Sequence, residues 1–329
     1  MIAEIAAIFL VSFFVTFITT PRLIRKFEAA GIVGKDVNKK SGRQVAEMGG
    51  MMIIMGVGAG ILLAVSMNTF FGFEFHLVYT LGALATILAT SLIGVFDDLF
   101  NMKQIIKAII PIFASIPLVA VKAGTTVMFI PFFGEVDFGL LYVVVFIPLG
   151  ITVASNLTNM LAGFNGMEAG MGMVMFACTA ALSIMLGKVE SAVISFAMLG
   201  SLLAFIIFNW YPARIFMGDI GTLSIGSALA CAVILGNFES AGAILVIPHI
   251  IDFFIKLANR FPTDYWWGEE KDGKLYPYGG KVRGFAQLVM KITGGISERN
   301  LVIVFIGFEV ICAVAVLIIF SRGFQPLLI

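Results

Sequence analysis

Apolar residues fill this chain in blocks of nearly constant length, and short polar stretches separate them. A helix that crosses the hydrocarbon layer needs about 20 such residues. Ten blocks approach that length, at roughly 2–21, 48–67, 77–96, 105–121, 140–156, 171–187, 190–209, 220–236, 240–258 and 301–320. The longest polar stretch, 259–299, lies between the last two. The pattern predicts an all-α polytopic membrane protein with about ten transmembrane helices, forming one domain over 1–329. Between the fourth and fifth blocks, alternating residues on either side of FFGE predict a small outer hairpin within 123–139. No internal repeat or low-complexity linker interrupts the chain.

Composition agrees with the pattern. The 329 residues are 60% hydrophobic and 12% charged, where a soluble domain carries about 25% charged residues. A net charge of +1 says little by itself. The placement of the charges is more informative than their sum. The loops after helices 1, 3 and 7, together with the region from the end of helix 9 to helix 10, hold 18 of the 21 Lys and Arg residues. Lys122, Lys188 and Arg322 are the three on the other side. Cationic loops stay in the cytoplasm, so the odd-numbered loops are expected there and both termini outside, in a multi-pass cell-membrane protein. The first block runs into Pro21 and Arg22 without a small-residue cleavage site and reads as a retained helix. Cys178, Cys231 and Cys312 sit singly in apolar runs, which excludes a paired-cysteine metal site.

The chemistry-bearing residues fall in the loops expected on the cytoplasmic side. Asp97 and Asp98 end helix 3, and a carboxylate pair beside hydrocarbon is costly unless it serves a function. Two adjacent carboxylates call for a cation or a shared proton. Asn101 shares the face of Asp97 if the helix continues, and Lys107, at the start of helix 4, can reach back to a phosphate. The stretch 156–170, NLTNMLAGFNGMEAG, sets Asn156, Asn159 and Asn165 among Gly163, Gly166, Gly170 and Glu168. Amides ligate hard cations and read base edges, and glycines admit a phosphate close to the backbone. Asp219 stands at the start of helix 8, where it reads as an N-cap or as a ligand. Asp97, Asp98, Asn159 and Asp219 together offer oxygen donors for one Mg²⁺. Glu47 precedes Gly49 and Gly50 at the mouth of helix 2. In the last inner region Tyr265, Trp266 and Trp267 suit a membrane interface or a sugar pocket, and 283–292 suits a short amphipathic helix lying on the membrane. His249 and Asp252 are intramembrane polar groups that either face the site or pair with each other.

These motifs resemble those of the polyprenyl-phosphate N-acetylhexosamine-1-phosphate transferases, over essentially the whole chain. Within them the chain looks most like the archaeal and eukaryotic enzymes that move GlcNAc 1-phosphate from UDP-GlcNAc to dolichyl phosphate. The resemblance is carried by Asp97-Asp98-Leu99-Phe100-Asn101 with Lys107, by Asn156, Asn159, Gly163, Asn165 and Gly166 in their spacing, by NWYPARIFMGD, and by ISERN before the last helix. It implies ten transmembrane helices with a cytoplasmic cleft. It also implies Mg²⁺, with Mn²⁺ as a substitute, on Asn159 and Asp219. Asp97 would position or deprotonate the lipid phosphate, Asp98 would support it, and Lys107 would hold phosphate charge. Asn165 and Glu47 would read the uridine, with Asn101, Gly163, Gly166 and Glu168 in the substrate cradle. The histidine-rich motif of the peptidoglycan branch is absent, since only His76 and His249 occur. Arginines replace it in the GlcNAc branch, and Arg260, Arg283 and Arg299 are the ones available. The expected products are UMP and GlcNAc-diphospho-lipid, the first intermediate of lipid-linked oligosaccharide assembly for protein N-glycosylation. Another UDP-N-acetylhexosamine serving cell-surface polymer synthesis is the alternative donor. A homodimer is compatible with the exposed helix faces, and no nucleic acid is expected.

Two other classes fit less well. An ion-coupled transporter places its acids at mid-membrane on broken helices, often in two related halves. An intramembrane prenyltransferase has two aspartate-rich boxes, whereas the second box here is rich in amides.

Overall fold

The computed structural model describes residues 1–39, 42–130, 134–262, 265 and 267–321. Lys40, Trp266 and Arg322, which entered the sequence reading, lie outside these. In chain order the elements are α1 (Ile2–Ala30), β1 (Val33–Lys35), β2 (Gln44–Ala46), α2 (Gly50–Phe71), α3 (Leu77–Phe100), and the short α4 (Gln104–Ile109), α5 (Pro111–Ala114) and α6 (Ile116–Ala120). There follow β3 (Val127–Ile130), β4 (Gly134–Asp137), a π-helical turn (Tyr142–Phe146), α7 (Ile147–Met160), α8 (Met167–Met185), α9 (Val189–Asn209) and α10 (Gly218–Gly236). The chain ends with α11 (Glu239–Leu245), α12 (Ile247–Ala258), β5 (Gly268–Lys271), β6 (Lys274–Pro277), α13 (Phe285–Ile292) and α14 (Glu298–Ser321).

Among the described residues eight helices are long and apolar enough to span a membrane, or nine if the bent pair α11–α12 counts as one span. The sequence pattern gave ten. The shortfall has a local cause in each case. The fourth block is divided where Pro111 and Pro117 open α5 and α6, because proline lacks the N–H that would continue the ladder. Pro248 acts in the same way at the 59° bend between α11 and α12. Helix α1, by contrast, runs through Pro21 to a left-handed Gly31 whose N–H donates to the Glu28 and Phe27 carbonyls. Within 123–139, β3 pairs antiparallel with β4, and residues 131–133 between them lie outside the described residues.

Helix α10 is the axis of the bundle. Every residue from Ile220 to Gly236 is buried, and α2, α3, α7, α8 and α9 pack around it. Polar contacts pin it at depth: Ser91 and Ser224 hydroxyls are 2.7 Å apart, and Thr158 donates to the Thr222 carbonyl at 2.8 Å. Close approach of α3 depends on Gly94, where a Cβ would stand 2.5 Å from the Ile220 backbone. A second apolar core lies at the polar end, where Phe164, Met167, Leu275, Phe285, Met290 and Phe305 join the strand pair β5–β6 and α13 to α8 and α14. The amphipathic helix expected at 283–292 is therefore α13, with its apolar face against protein.

Candidate active site

One end of the bundle gathers the last turns of α3 and α7 and the first turns of α8, α10 and α14. Asp98 sits on the last turn of α3, and its carboxylate caps α10. Its Oδ1 accepts from the Asp219 N–H at 2.8 Å and its Oδ2 from the Ile220 N–H at 3.4 Å. Gly218 makes this possible: its φ is +69°, and a Cβ there would stand 2.5 Å from Asp98 Oδ2. Asp97 faces another way. Its Oδ1 accepts from the Met102 N–H at 2.7 Å, and its Oδ2 lies 2.7 Å from Lys107 Nζ. The same ammonium donates to Asp219 Oδ2. Asn159 Nδ2 completes the cluster, donating to Asp219 Oδ1 at 2.7 Å and to Thr222 Oγ1 at 2.8 Å. Three acids, one amine and one amide, far apart in sequence, thus form a single contact network.

Asp98, Lys107, Asn159 and Asp219 line a cavity of about 1330 Å³, while Asp97 stands behind Lys107 and is not among the described residues of its wall. Its polar wall holds Asp98, Lys107, Asn159, Asp219 and Glu47. Apolar residues, Ile105, Val153, Ile250, Phe253, Phe254 and Phe261 among them, line it as well. Of these, Ile105, Val153, Phe254 and Phe261 are exposed, so this part of the lining reaches the protein surface.

Glu47 reaches the cavity because the strand before it is anchored at both edges. Val33 pairs with Ala46 across the β1–β2 hairpin, and Ala46 bridges to Ile215 on the other side. Gly49 and Gly50 then donate to the carbonyls of Phe216 and Met217 at 2.9 and 2.7 Å. Burial, with the negative charge of Asp219 added, pushes the Glu47 carboxyl above the usual carboxylate range.

A second network closes the far wall of the cavity. Asn165 Nδ2 donates to Asp36 Oδ2 at 3.2 Å, and the Asn165 N–H donates to Glu298 Oε1 at 2.9 Å. Lys39 bridges the two acids, contacting Asp36 and lying 3.0 Å from Glu298 Oε2. Burial alone lowers the Lys39 pKa, but its bonds to Asp36 and Glu298 outweigh that and raise it. Asn38 donates to the Gly163 carbonyl at 2.8 Å and accepts from the Gly268 N–H at 3.0 Å. Glu168, on the first turn of α8, accepts from the Gly163 N–H. The glycine loop is thereby held from three sides.

The structure separates the remaining sequence candidates. Asn165, Gly163 and Glu168 line the cavity. Asn101 does not share the Asp97 face: α3 stops at Phe100, and Asn101 takes the left-handed capping conformation with φ 49°, exposed and away from the cavity wall. Gly166 packs against the Trp210 ring. Arg283 donates to the Tyr278 carbonyl at 3.0 Å and lies over the Tyr265 ring, while Arg299 is exposed; among the described residues that line the cavity, neither appears. Tyr265 stacks on Tyr278 at 4.5 Å with Trp267 beside them, also off the cavity wall. Asp252 does not pair with His249. It contacts Lys256 at 2.8 Å and accepts from the Phe285 N–H at 2.7 Å, which fixes the start of α13. Asp36, Asn38, Lys39 and Glu298 were not singled out from the sequence. The first three lie in a lysine-rich loop that reads as ordinary cytoplasmic charge, and Glu298 lies within the ISERN motif without a stated role.

Among the described residues, no three His, Cys, Asp or Glu side chains converge as a metal site. The donor set still suits a hard cation that takes most of its ligands from elsewhere. Asp219 supplies a carboxylate already in contact with the Lys107 ammonium, and Asn159, whose Nδ2 donates to that carboxylate, carries an amide oxygen that can serve as a second donor. Mg²⁺ is commonly held by one or two such groups plus phosphate oxygens and water.

Comparison with known proteins fits this geometry. The model of glycosyl transferase family 4 matches residues 80–237, the stretch that contains Asp97, Asp98, Lys107, Asn159 and Asp219. A protein of Saccharolobus solfataricus, provisionally named a UDP-N-acetylglucosamine–dolichyl-phosphate N-acetylglucosaminephosphotransferase, is 36% identical over 94% of this chain and 95% of its own. A Sulfolobus acidocaldarius protein with the same provisional name is 35% identical over 93% of each chain. The Dictyostelium discoideum UDP-N-acetylglucosamine–dolichyl-phosphate N-acetylglucosaminephosphotransferase is 27% identical over 86% of this chain and 80% of its own. Likeness at this level along nearly the full length of both archaeal chains makes this protein a member of glycosyl transferase family 4.

Proposed function

We propose that the protein transfers N-acetylglucosamine 1-phosphate from UDP-N-acetylglucosamine to a dolichyl or related polyprenyl phosphate. UMP is released, and the lipid-linked sugar diphosphate is the first intermediate of an oligosaccharide destined for protein. The names of the relatives support the two substrates. The observation that carries the reading is the cavity itself, which combines the polar group Asp98, Lys107, Asn159 and Asp219 with an apolar group that includes the exposed Ile105, Val153 and Phe254. A nucleotide diphosphate fits the first and a polyprenyl chain the second. An ion path would have no use for that pairing.

The acceptor brings its own nucleophile. A phosphate monoester has a second pKa of about 6 and is largely dianionic at neutral pH. One of its oxygens attacks the β-phosphorus of the donor in line. A new P–O bond forms there as the bond from the β-phosphorus to the bridging oxygen breaks, and that electron pair leaves with UMP. The protein's task is placement and charge neutralisation. Lys107, held between Asp97 and Asp219, supplies a cation at the point where the two phosphates meet. Asp97 positions the acceptor phosphate and takes any residual proton. Asp98 acts through α10, holding Asp219 in place. Asp219 and Asn159 would hold Mg²⁺ on the diphosphate, where the metal offsets negative charge. Asn165 and Glu47 face the uridine, and Gly163 lets the backbone approach it.

The concentration of Lys and Arg in the loops at this end supports a cytoplasmic active site with both termini outside. The test is UMP release from UDP-N-acetylglucosamine by the purified protein with polyprenyl phosphate and Mg²⁺. Release that requires all three supports the proposal. Rapid UMP formation without the lipid would replace direct attack with a covalent aspartyl intermediate.

A further inference from the structure

The side-chain amide of Asn165 has two different ends, and its surroundings decide which end faces the cavity. Asn165 is 4% exposed, and its Nδ2 lies 3.2 Å from Asp36 Oδ2. A carboxylate oxygen only accepts hydrogen bonds. The opposite orientation would place an amide oxygen against that carboxylate with no hydrogen between them. Lys39 reinforces the arrangement, since its ammonium touches the same Asp36 oxygen and keeps an acceptor there. Glu298 holds the other half of the residue by accepting the Asn165 N–H at 2.9 Å. What remains for the cavity, which Asn165 lines, is the amide oxygen Oδ1, an acceptor.

We propose that Asp36, held by Lys39, is a positioning residue that locks the Asn165 amide with its oxygen toward the cavity, so that this wall selects uracil over cytosine. The inference rests on the reading of the cavity as a UDP-sugar site. A uracil ring presents a donor at N3–H, whereas cytosine presents a bare acceptor at the same ring position. An amide free to rotate would accept from one or donate to the other with little difference. A fixed amide meets the first with a hydrogen bond and the second with two facing lone pairs, and an unmatched buried acceptor costs more than the bond gains. Base choice would therefore depend on an acid that need not touch the base.

The test compares inhibition of the transfer reaction by UMP and by CMP, in the full-length protein and three variants. Asp36→Ala removes the acceptor while leaving Lys39 paired with Glu298. The UMP preference should fall about tenfold, the worth of one oriented hydrogen bond. Asp36→Asn is the conservative control. Lys39 only donates, so it draws the new amide oxygen to the place of Oδ2, and the preference should persist. Adding Lys39→Met to Asp36→Asn frees that amide to turn, and the preference should fall again without a change of volume at position 36. This pair of variants decides the matter even if Asp36→Ala does not fold. An unaltered UMP to CMP ratio in the folded double variant overturns the proposal, as does a ratio lost equally in Asp36→Asn alone. A wild-type protein that releases no UMP from UDP-N-acetylglucosamine overturns the reading on which the proposal rests.

Discussion

Lys107 Nζ lies 2.7 Å from Asp97 Oδ2, and the same ammonium touches Asp219, so one cation serves two acids that come from different helices. Side chains of Lys107 and Asp97 are each 10% exposed, so solvent screens this contact poorly. Lys107→Met would leave the acids facing each other and the phosphates without their nearest protein cation. UMP release should fall by about 10² or more, the cost of removing one charge-stabilising donor from a preorganised site. Asp97→Asn should differ in kind. It keeps the shape and the contact with Met102, and it lowers kcat while the KM for UDP-N-acetylglucosamine stays nearly unchanged. Steady-state kinetics on both variants separate the roles, and a raised KM with normal kcat in Asp97→Asn would place that acid on the nucleotide instead.

Asp98 is adjacent to Asp97 in sequence and does a different job. Both of its oxygens are taken by the first N–H groups of α10, the central helix of the bundle. Asp98→Ala removes an N-terminal cap, worth about 1–2 kcal/mol, and also releases the helix start that carries Asp219. Thermal unfolding in detergent should show lower stability together with lost activity. Asp97→Asn should unfold like the wild type. If the two variants melt alike, the division of labour between the two acids is wrong.

Sequence and structure meet most closely where a residue is anomalous against its background. Asp97, Asp98 and Asp219 are visible because acids beside hydrocarbon are rare, and the three do converge. Asp36, Asn38 and Lys39 are hidden by their own neighbourhood, a basic loop in which every charge has an ordinary explanation. Their importance arises only when Glu298, 133 residues away from Asn165, folds against them. The spanning helices follow hydropathy until a proline intervenes. Pro111 and Pro117 divide an apolar block that composition alone reads as one helix. Asn101 was placed by helical spacing, and the helix ended one residue too soon. The family resemblance offers Arg283 for the substrate, whereas its guanidinium lies over the Tyr265 ring, and Arg283 is not among the described residues that line the cavity.

Glu47 gives the site a pH-dependent stability. Burial, and the nearby charge of Asp219, raise its carboxyl pKa in the folded protein. The folded state therefore holds that proton more tightly than the unfolded state. The resulting stabilisation is complete below the ordinary carboxylate pKa of about 4.3 and is lost as pH rises through the raised value. Above that raised value the ionised carboxylate is a net cost. Glu47→Gln should then melt at a higher temperature than wild type at pH 7, and the difference should close near pH 4. A glutamine variant less stable than wild type at pH 7 would mean that the carboxylate is held by a partner that favours its charge.

Asp219 is where the proposed metal and the protein's own cation meet. Its two oxygens are engaged by Lys107 and Asn159, which leaves it in place to turn toward a diphosphate-bound Mg²⁺ at the cavity wall. Asp219→Ala removes the carboxylate from the proposed pair of metal donors, and the amide of Asn159 alone is a weak ligand for a hard divalent ion. Calorimetric titration of wild type with UDP-N-acetylglucosamine should show binding that strengthens with Mg²⁺ and weakens when the metal is chelated. In Asp219→Ala the affinity should be low and the same with or without metal. Asn159→Ala should reduce the metal dependence less. Asp219 is not a metal ligand if its alanine variant binds the donor with the full Mg²⁺ dependence of the wild type.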